Sequence, residues 1–234
     1  MTDSPLLTRI AFHIGPIPIT TTVLTTWAIM AVLALVFILL TRRLKTSPGR
    51  AQAVLELVCT AIDQQISATL QSSPAPFRSL IGTLFIFILC ANWASAVPGL
   101  EPPTAHLETD AALASIVFVA TIYFGLRANG FLGYLKTFAE PSWVMIPLNL
   151  VEQITRTFSL MVRLFGNVMS GVFIIAIILS LAGLIVPIPL VALDLLTGAV
   201  QAYIFAVLAT VFIAAAVGEG RRQEANTSNL KEDS

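Results

Sequence analysis

The chain has 234 residues, of which 56% are hydrophobic and only 11% are charged, and its mean hydropathy is +0.87. This composition lies far outside the range of soluble domains and predicts an integral membrane protein. The formal net charge is zero, so the charge balance indicates no nucleic-acid partner.

Five apolar runs are long enough to cross a bilayer, which takes about 20 residues per helix. They predict a single all-α polytopic membrane domain with helices at residues 22–40, 80–97, 111–126, 143–184 and 190–217. The last two runs exceed one perpendicular crossing, so we expect a long, tilted helical hairpin that turns at Pro187 and Pro189. Residues 1–20 are then an outer N-terminal segment and residues 218–234 a cytoplasmic tail. The first residues carry no cleavable-signal pattern, so the first apolar run is expected to direct its own insertion.

A further helix is predicted at residues 49–70, between the first two spans. Its apolar residues recur every four positions, and polar residues occupy the rest of the helical wheel. The apolar set is Val54, Val58, Ile62, Ile66 and Leu70. Such an amphipathic helix could lie on the inner membrane surface or cover a partner helix, and a purely interfacial position without a specific role fits the pattern as well.

The basic residues predict the orientation. With the N-terminus outside, one basic residue, Arg9, lies outside, and two, Arg156 and Arg163, lie within the membrane. The remaining ten are cytoplasmic: Arg42, Arg43, Lys45, Arg50, Arg78, Arg127, Lys136, Arg221, Arg222 and Lys231. The two cysteines, Cys59 and Cys90, are read as free thiols.

The fourth span carries a continuous polar stripe. At 100° per residue its polar side chains fall on one face, because their spacings are three, four and seven. These residues are Asn149, Glu152, Arg156, Ser159, Arg163, Asn167 and Ser170. An arginine at the bilayer centre costs between about 2.5 and more than 10 kcal/mol. The stripe therefore predicts a wet path or a moving partner, with a structural anchor as the alternative.

The segment RLFGNVMSG at 163–171 resembles the hallmark of subunit a of the F-type ATP synthase, the stationary ion-conducting partner of the rotating c-ring. Other similar segments follow the family's order: PGRAQAVLE at 48–56, FIFILCAN at 85–92, VPG at 97–99, PTA at 103–105, IPLNLVE at 146–152 and QAYIF at 201–205. The resemblance covers about residues 20–217 and implies a bacterial inner-membrane protein, with its last two helices against the c-ring.

The resemblance implies that ions reach the c-ring carboxylates through two offset aqueous half-channels. Arg163 would face the passing carboxylate and separate the half-channels, because a guanidinium does not deprotonate in proteins. Glu152 would line the half-channel towards the outer side, and it could also neutralise Arg156 one turn later. Asn167 matches a family asparagine but could equally make an interhelical hydrogen bond, as could Asn92.

On the last helix, Asp194 and Gln201 share a face about 10 Å apart. Gln201 matches the family glutamine near the arginine, and Asp194 stands where relatives often carry His or Glu. Asp194 is therefore expected to be a second channel carboxylate, with a buried Asp satisfied by Arg156 or Gln201 as the alternative.

This sequence departs from the family pattern at two positions. Val172 replaces a frequent Glu or His, and His106 follows the PTA segment where Asp is usual, although Glu108 and Asp110 keep the outer loop acidic. His106, Glu108 and Asp110 are expected to form the outer access to the channel. The transported ion is expected to be H⁺, with Na⁺ as the alternative.

The chain shows no nucleotide-binding loop, metal-ligand cluster or nucleophile-base arrangement. It is therefore expected to be a non-catalytic subunit without metal or cofactor, whose partners are the c-ring, the peripheral-stalk subunit b, the remaining ATP synthase subunits and membrane lipid. A free-standing channel or secondary transporter is the rival class, but the inverted repeat that it predicts is not found.

Overall fold

The computed structural model describes residues 10–14, 17–42, 50–70, 73–97, 100, 102–139, 145–182 and 187–232. Two short strands, β1 (Ile10–Ile14) and β2 (Ile17–Thr20), pair in antiparallel fashion before the first helix. Six α-helices follow: α1 (Thr21–Thr41), α2 (Arg50–Leu70), α3 (Ala75–Trp93), α4 (Leu107–Ala139), α5 (Met145–Ala182) and α6 (Pro187–Glu232). Two 3-10 turns, Ala94–Ala96 and Pro103–Ala105, link α3 to α4.

Within the described residues, five helices are long and apolar enough to cross a membrane: α1, α3, α4, α5 and α6. This confirms the prediction of an all-α membrane protein with five spanning helices and one amphipathic helix. The hairpin formed by β1 and β2 was not predicted from the sequence. Arg9, on which the outer side of the orientation argument depends, lies outside the described residues.

Two segments are longer than the sequence indicated. The third span was predicted to end at residue 126, but α4 continues to Ala139 across a break at Gly130, whose φ of 69° and ψ of 166° are not helical. Beyond residue 217, α6 continues to Glu232, through a stretch in which Arg, Glu, Gln and Ala favour helix. Hydropathy indicates only where an apolar run ends. A helix can continue beyond that point through polar residues.

The bundle core lies where α3, α4, α5 and α6 meet. Its centre includes Ile88 of α3, Val117 of α4, Leu164 of α5 and Phe205 of α6, all essentially inaccessible to solvent. Along α5 the buried residues recur every four positions, at Leu160, Leu164 and Val168. Because this spacing buries one stripe and leaves the remainder exposed, α5 retains a long apolar face on the outside of the chain.

The amphipathic helix α2 packs against the bundle. Ile66 is fully buried and joins a second core cluster with Ile81 of α3 and Ile213 of α6. A hydrogen bond of 2.9 Å from the Tyr203 hydroxyl to Gln65 Oε1 ties α2 to α6. Of the roles left open by the sequence, the structure therefore favours a helix that covers its neighbours.

Candidate functional site

Arg163 lies at the middle of α5, and its side chain is exposed at the surface of the helix bundle. Three small residues on the same stripe are also exposed: Ser159, Gly166 and Ser170. A Cβ added at Gly166 would meet no atom within 4 Å. Small residues allow the backbone of another helix to approach closely, so this stripe has the shape of a helix-docking surface with one charge at its centre.

Arg163 differs from the other charged side chains in the spanning parts of α5 and α6, because it has no partner among the described residues. Among the described membrane-spanning residues of these two helices, the others are Glu152, Arg156 and Asp194. Arg156 Nη2 donates a hydrogen bond to Glu152 Oε1, and its guanidinium lies 5.5 Å from the centre of the Phe212 ring. Asp194 accepts a hydrogen bond from Ser95. No hydrogen bond or ion pair to Arg163 is found in the described part of the chain.

A cavity with a mainly apolar lining, termed here the Asp194 cavity, lies between α5 and α6 near the N-terminal end of α6. Its volume is about 180 Å³, and its polar lining comprises Asn167, Ser170, Asp194 and Thr197. The Asn167 Nδ2 atom is buried and has no hydrogen-bond partner among the described residues. The cavity therefore presents a carboxylate, two hydroxyls and an amide to whatever occupies it.

The Asp194 side chain depends on two neighbours for its position. The Ser95 hydroxyl, which has one proton to donate, lies 3.0 Å from Asp194 Oδ2 and 2.9 Å from the Asn92 carbonyl oxygen, and these two acceptors share it. A Cβ added at Gly171 would lie only 2.0 Å from Asp194 Oδ1, so the carboxylate occupies space that any larger residue at 171 would fill. The alternative in which Arg156 or Gln201 satisfies Asp194 is wrong, since the recorded partner is Ser95.

Asn92 connects the end of α3 with α6 and with the PTA turn. Its Nδ2 donates to the Gly198 carbonyl at 2.9 Å, and its Oδ1 accepts from the Thr104 hydroxyl at 2.7 Å. Both Asn92 and Thr104 are buried. Asn92 thus makes the interhelical hydrogen bond that the sequence left open, and it fixes the end of the bundle at which Asp194 lies.

A second cavity, the Glu152 cavity, has a mainly polar lining and lies where α4, α5 and α6 meet. It has a volume of about 70 Å³. Its polar lining is Thr121, Tyr134, Asn149, Glu152, Gln153, Arg156 and Thr157. The two cavities share no lining residue. Arg163 lies between them along α5, about 16 Å from Glu152 and about 6 Å from Asn167 by helical rise.

The position of the Glu152 cavity makes two predictions incompatible, an outer Glu152 and a cytoplasmic C-terminus. Glu152 lies beside Ala215 and Ala216, towards the C-terminal end of α6, whereas Asp194 lies near its N-terminal end. An outer position for Glu152 is therefore incompatible with a cytoplasmic C-terminus. If the C-terminus is cytoplasmic, Glu152 belongs to the inner side, because the two carboxylates lie towards opposite ends of one helix.

The break at Gly130 builds one wall of the Glu152 cavity. A positive φ with ψ near 166° is a conformation essentially reserved for glycine. Beyond the break the chain folds back, so that the ring of Tyr134 lies 2.6 Å from where a Gly125 Cβ would be. In an unbroken helix these two residues would lie about 13 Å apart along the axis. The turn at Gly130 therefore brings the Tyr134 side chain to the cavity.

The three residues expected at the outer access have different surroundings. Glu108 is exposed in the first turn of α4, and His106 is half-buried next to it. Asp110, expected in an acidic loop, is instead fully buried in that first turn, and neither carboxylate oxygen has a hydrogen-bond partner among the described residues. The PTA turn contacts α3 and α5, so all three belong to the same end of the bundle as Asn92.

Gln201 and Val172 complete the set named from the sequence. Gln201 is buried, and its Nε2 has no hydrogen-bond partner among the described residues. Gln201 and Arg163, both described, make no hydrogen bond with each other. Val172 packs against the central core and does not line the Asp194 cavity.

Sequence reasoning missed several residues of the site. Ser95, Gly171, Thr121 and Tyr134 were given no role, although the first two contact Asp194 and the last two line the Glu152 cavity. Small residues in membrane helices could have indicated the close approach at Gly171. No pattern in the sequence indicates Tyr134, because its position depends on the turn at Gly130.

Comparison with known proteins identifies the family. The family model described as ATP synthase A chain matches residues 23–214. "ATP synthase subunit a 2" of a Bradyrhizobium species is 57% identical, covering 93% of this chain and 98% of the relative. "ATP synthase subunit a 1" of Chlorobaculum parvum is 48% identical over 92% of this chain and 94% of the relative, and "ATP synthase subunit a" of Albidiferax ferrireducens is 47% identical over 89% and 90%. The resemblance recognised from the RLFGN segment is confirmed: this chain belongs to the ATP synthase A chain family, the non-catalytic membrane subunits of the ion-translocating sector.

Proposed function

We propose that this chain forms two aqueous half-channels that deliver H⁺ to and from the carboxylates of a c-ring, with Arg163 separating them. The observation that carries the proposal is the exposed, unpartnered Arg163 at the middle of α5, as described above. A charge in hydrocarbon without a counter-charge is costly, so Arg163 requires a partner on another chain. A carboxylate on a passing ring helix supplies that counter-charge.

The positions of the two cavities support the half-channel assignment. They lie towards opposite ends of the α5–α6 pair, share no lining residue, and flank Arg163. In this mechanism an ion enters through one cavity, binds a ring carboxylate, and leaves through the other cavity after the ring has rotated. Arg163 keeps the carboxylate that faces it ionised, so an ion cannot pass directly from one cavity to the other.

The roles of the remaining residues follow from their positions. Asp194 and Asn167 serve the outer half-channel, with His106, Glu108 and Asp110 towards its access, and Glu152 and Arg156 serve the inner one. Gln201 is buried and lies two helical turns from Asp194 on the same side of α6. In this assignment the chain lies in a bacterial inner membrane, with its N-terminus outside and its C-terminus in the cytoplasm. Its partners are the c-ring, the peripheral stalk and the remaining ATP synthase subunits.

Na⁺ transport is the second candidate, and the Asp194 cavity favours it in one respect. Its lining offers one carboxylate together with neutral oxygen atoms from Ser170, Thr197 and Asn167. Oxygen atoms are the ligands that hard cations prefer. A free-standing channel or secondary transporter is not supported, because the chain matches the ATP synthase family over most of its length.

ATP-driven uptake by the reconstituted complex tests the proposal, with Arg163→Ala compared with Arg163→Lys and wild type. We expect wild type to acidify vesicles, a protonophore to collapse the signal, and Arg163→Ala to abolish it while assembly persists. Uptake that requires Na⁺ and survives the protonophore would select the second candidate. Normal pumping by Arg163→Ala would refute the role of Arg163 for either ion.

A further inference from the structure

The end of α3, directly before Ser95, is attached to α6 by two hydrogen bonds in which the Ser95 hydroxyl takes no part. Asn92 Nδ2 donates to the Gly198 carbonyl at 2.9 Å, and Trp93 Nε1 donates to the Leu195 carbonyl at 3.0 Å. A Cβ added at Gly198 would lie 3.0 Å from the Asn92 Cβ, so the two segments pack closely. The backbone of Ser95 is therefore held beside α6 whichever way its hydroxyl points.

The Ser95 hydroxyl has two acceptors but only one proton to donate. Its oxygen lies 3.0 Å from Asp194 Oδ2 and 2.9 Å from the Asn92 carbonyl oxygen. Because these two distances are nearly equal, distance selects neither acceptor. Charge does, since a hydrogen bond to an ionised acceptor is about twice as strong as one between neutral groups. The hydroxyl therefore donates to Asp194 while that carboxylate is charged and to the Asn92 carbonyl once the charge is neutralised.

The two hydroxyls in the Asp194 cavity donate elsewhere. Ser170 donates to the Asn167 carbonyl at 2.8 Å, and Thr197 donates to the Asp194 backbone carbonyl at 3.0 Å, each within its own helix. Among the described residues, Ser95 is the side chain that donates to the Asp194 carboxylate. The described lining of the cavity from α5 and α6 contains no second titratable side chain, and neither does the α3 segment from Asn92 to Ser95. The charge of Asp194 itself therefore decides how the Ser95 hydroxyl turns.

We propose that the Ser95 hydroxyl is a two-position switch that follows the ion load of Asp194. The inference rests on the proposed role of Asp194 in the outer half-channel. While Asp194 is charged, Ser95 donates to Oδ2. When a proton binds Oδ2, Ser95 turns its own proton to the Asn92 carbonyl, and its oxygen accepts a hydrogen bond from the new carboxyl O–H. Ser95 keeps its proton throughout, so only the transported proton changes the atom to which it is bound.

The switch favours release of the ion from Asp194. Because the stronger of the two hydrogen bonds is made to the charged carboxylate, Ser95 stabilises the empty state of Asp194 more than the loaded state. The same holds for Na⁺, which would repel the hydroxyl proton and meet the Ser95 oxygen instead. Removal of the hydroxyl should therefore tighten ion binding at Asp194 about tenfold and slow release to a similar extent.

ATP synthesis by the reconstituted complex tests the switch, because in this direction ions enter through the outer half-channel. The ion concentration on the outer side is varied at a fixed membrane potential, which gives an apparent KM for the ion and a maximal rate. We expect Ser95→Ala to lower both about tenfold. Alanine flanks Ser95 on both sides, so the turn accommodates this change. Ser115→Ala is the matched control, because the Ser115 hydroxyl donates to the Ala111 carbonyl of its own helix.

Two conservative variants separate the switch from a structural role. Ser95→Thr retains the hydroxyl and should restore both kinetic values, whereas Ser95→Cys, whose thiol is a weaker donor, should lower both to a smaller degree. A change that merely displaced the end of α3 would lower the maximal rate without tightening the apparent KM. An unchanged or raised KM in Ser95→Ala would therefore overturn the proposal.

Asp194→Asn separates this inference from the proposed function. Normal synthesis by Asp194→Asn would refute the role of Asp194 in the outer half-channel, and the switch with it. Slow synthesis by Asp194→Asn together with wild-type kinetics in Ser95→Ala would overturn the switch alone.

Discussion

The close approach of Gly171 to Asp194 makes the substitution Gly171→Ala a test of the outer half-channel. A Cβ placed on residue 171 of the wild-type structure would lie 2.0 Å from Asp194 Oδ1, whereas ordinary van der Waals contacts begin at 3.4 Å. The carboxylate must therefore rotate away from α5. That rotation breaks the 3.0 Å hydrogen bond from Ser95 and removes Asp194 from its present place in the cavity.

The size of the effect follows from three contributions. Loss of a hydrogen bond to a charged acceptor costs about 1.5–3 kcal/mol, and an off-rotamer side chain costs about 0.5–1.5 kcal/mol. Alanine in place of glycine returns about 1 kcal/mol of helix propensity. We expect Gly171→Ala to lower the free energy of unfolding by about 1–3 kcal/mol. Transport should fall by about tenfold or more, because the ion path depends on the position of one carboxylate.

Two further variants isolate the cause. Gly166→Ala, on the same helix, meets no atom within 4 Å and should not lower the free energy of unfolding. Gly171→Ala combined with Asp194→Ser should recover stability but not transport, because the shorter side chain removes the clash together with the carboxylate. Unfolding in denaturant and ATP-driven uptake are measured for each. If Gly171→Ala matches wild type in both measurements, Asp194 does not lie against Gly171 and the Asp194 cavity is wrongly assigned.

Three other substitutions test the fold around the site. Gly130→Ala should cost about 1–3 kcal/mol of unfolding free energy, because φ is positive there, whereas Gly133→Ala should be neutral in the same denaturation assay. Ile66→Ala should cost about 2–5 kcal/mol and speed hydrogen exchange in α2, whereas Leu57→Ala, 70% exposed, should change stability by less than about 0.5 kcal/mol. Asp110→Asn should leave stability nearly unchanged, since it replaces a buried carboxyl group that has no hydrogen-bond partner among the described residues with another polar group of the same shape, and it should slow uptake if Asp110 serves the outer access; a loss of stability would show that the carboxyl group has a stabilising contact.

Local patterns in the sequence predicted those parts of the site that depend on one helix alone. The stripe containing Glu152, Arg156 and Arg163 follows from spacings of three, four and seven, and the bond between Glu152 and Arg156 is an i,i+4 pair. The five spans follow from hydropathy, because each is a continuous apolar run. In these cases the residues that produce the pattern lie on one helix, each within about two helical turns of the next.

Contacts between distant segments could not be predicted in the same way. Ser95 and Asp194 are 99 residues apart, and nothing near either residue indicates the other. Tyr134 reaches the Glu152 cavity only because Gly130 takes a conformation that other residues avoid. Assigning Glu152 to one side of the membrane requires knowing which end of α6 it faces, and that depends on how α5 and α6 pack.

The placement of Arg163 explains why the proposed ion path cannot be completed within this chain. The Asp194 and Glu152 cavities have separate linings, and Arg163 projects to the outside between them. A membrane potential supplies about 2.3 kcal/mol per elementary charge per 100 mV, which any direct connection between the cavities would dissipate. Carrying the ion around Arg163 on a separate, moving carboxylate avoids that connection and makes each transfer depend on rotation. The exposed apolar face of α5, with its small residues beside Arg163, is the surface on which such a carrier would move.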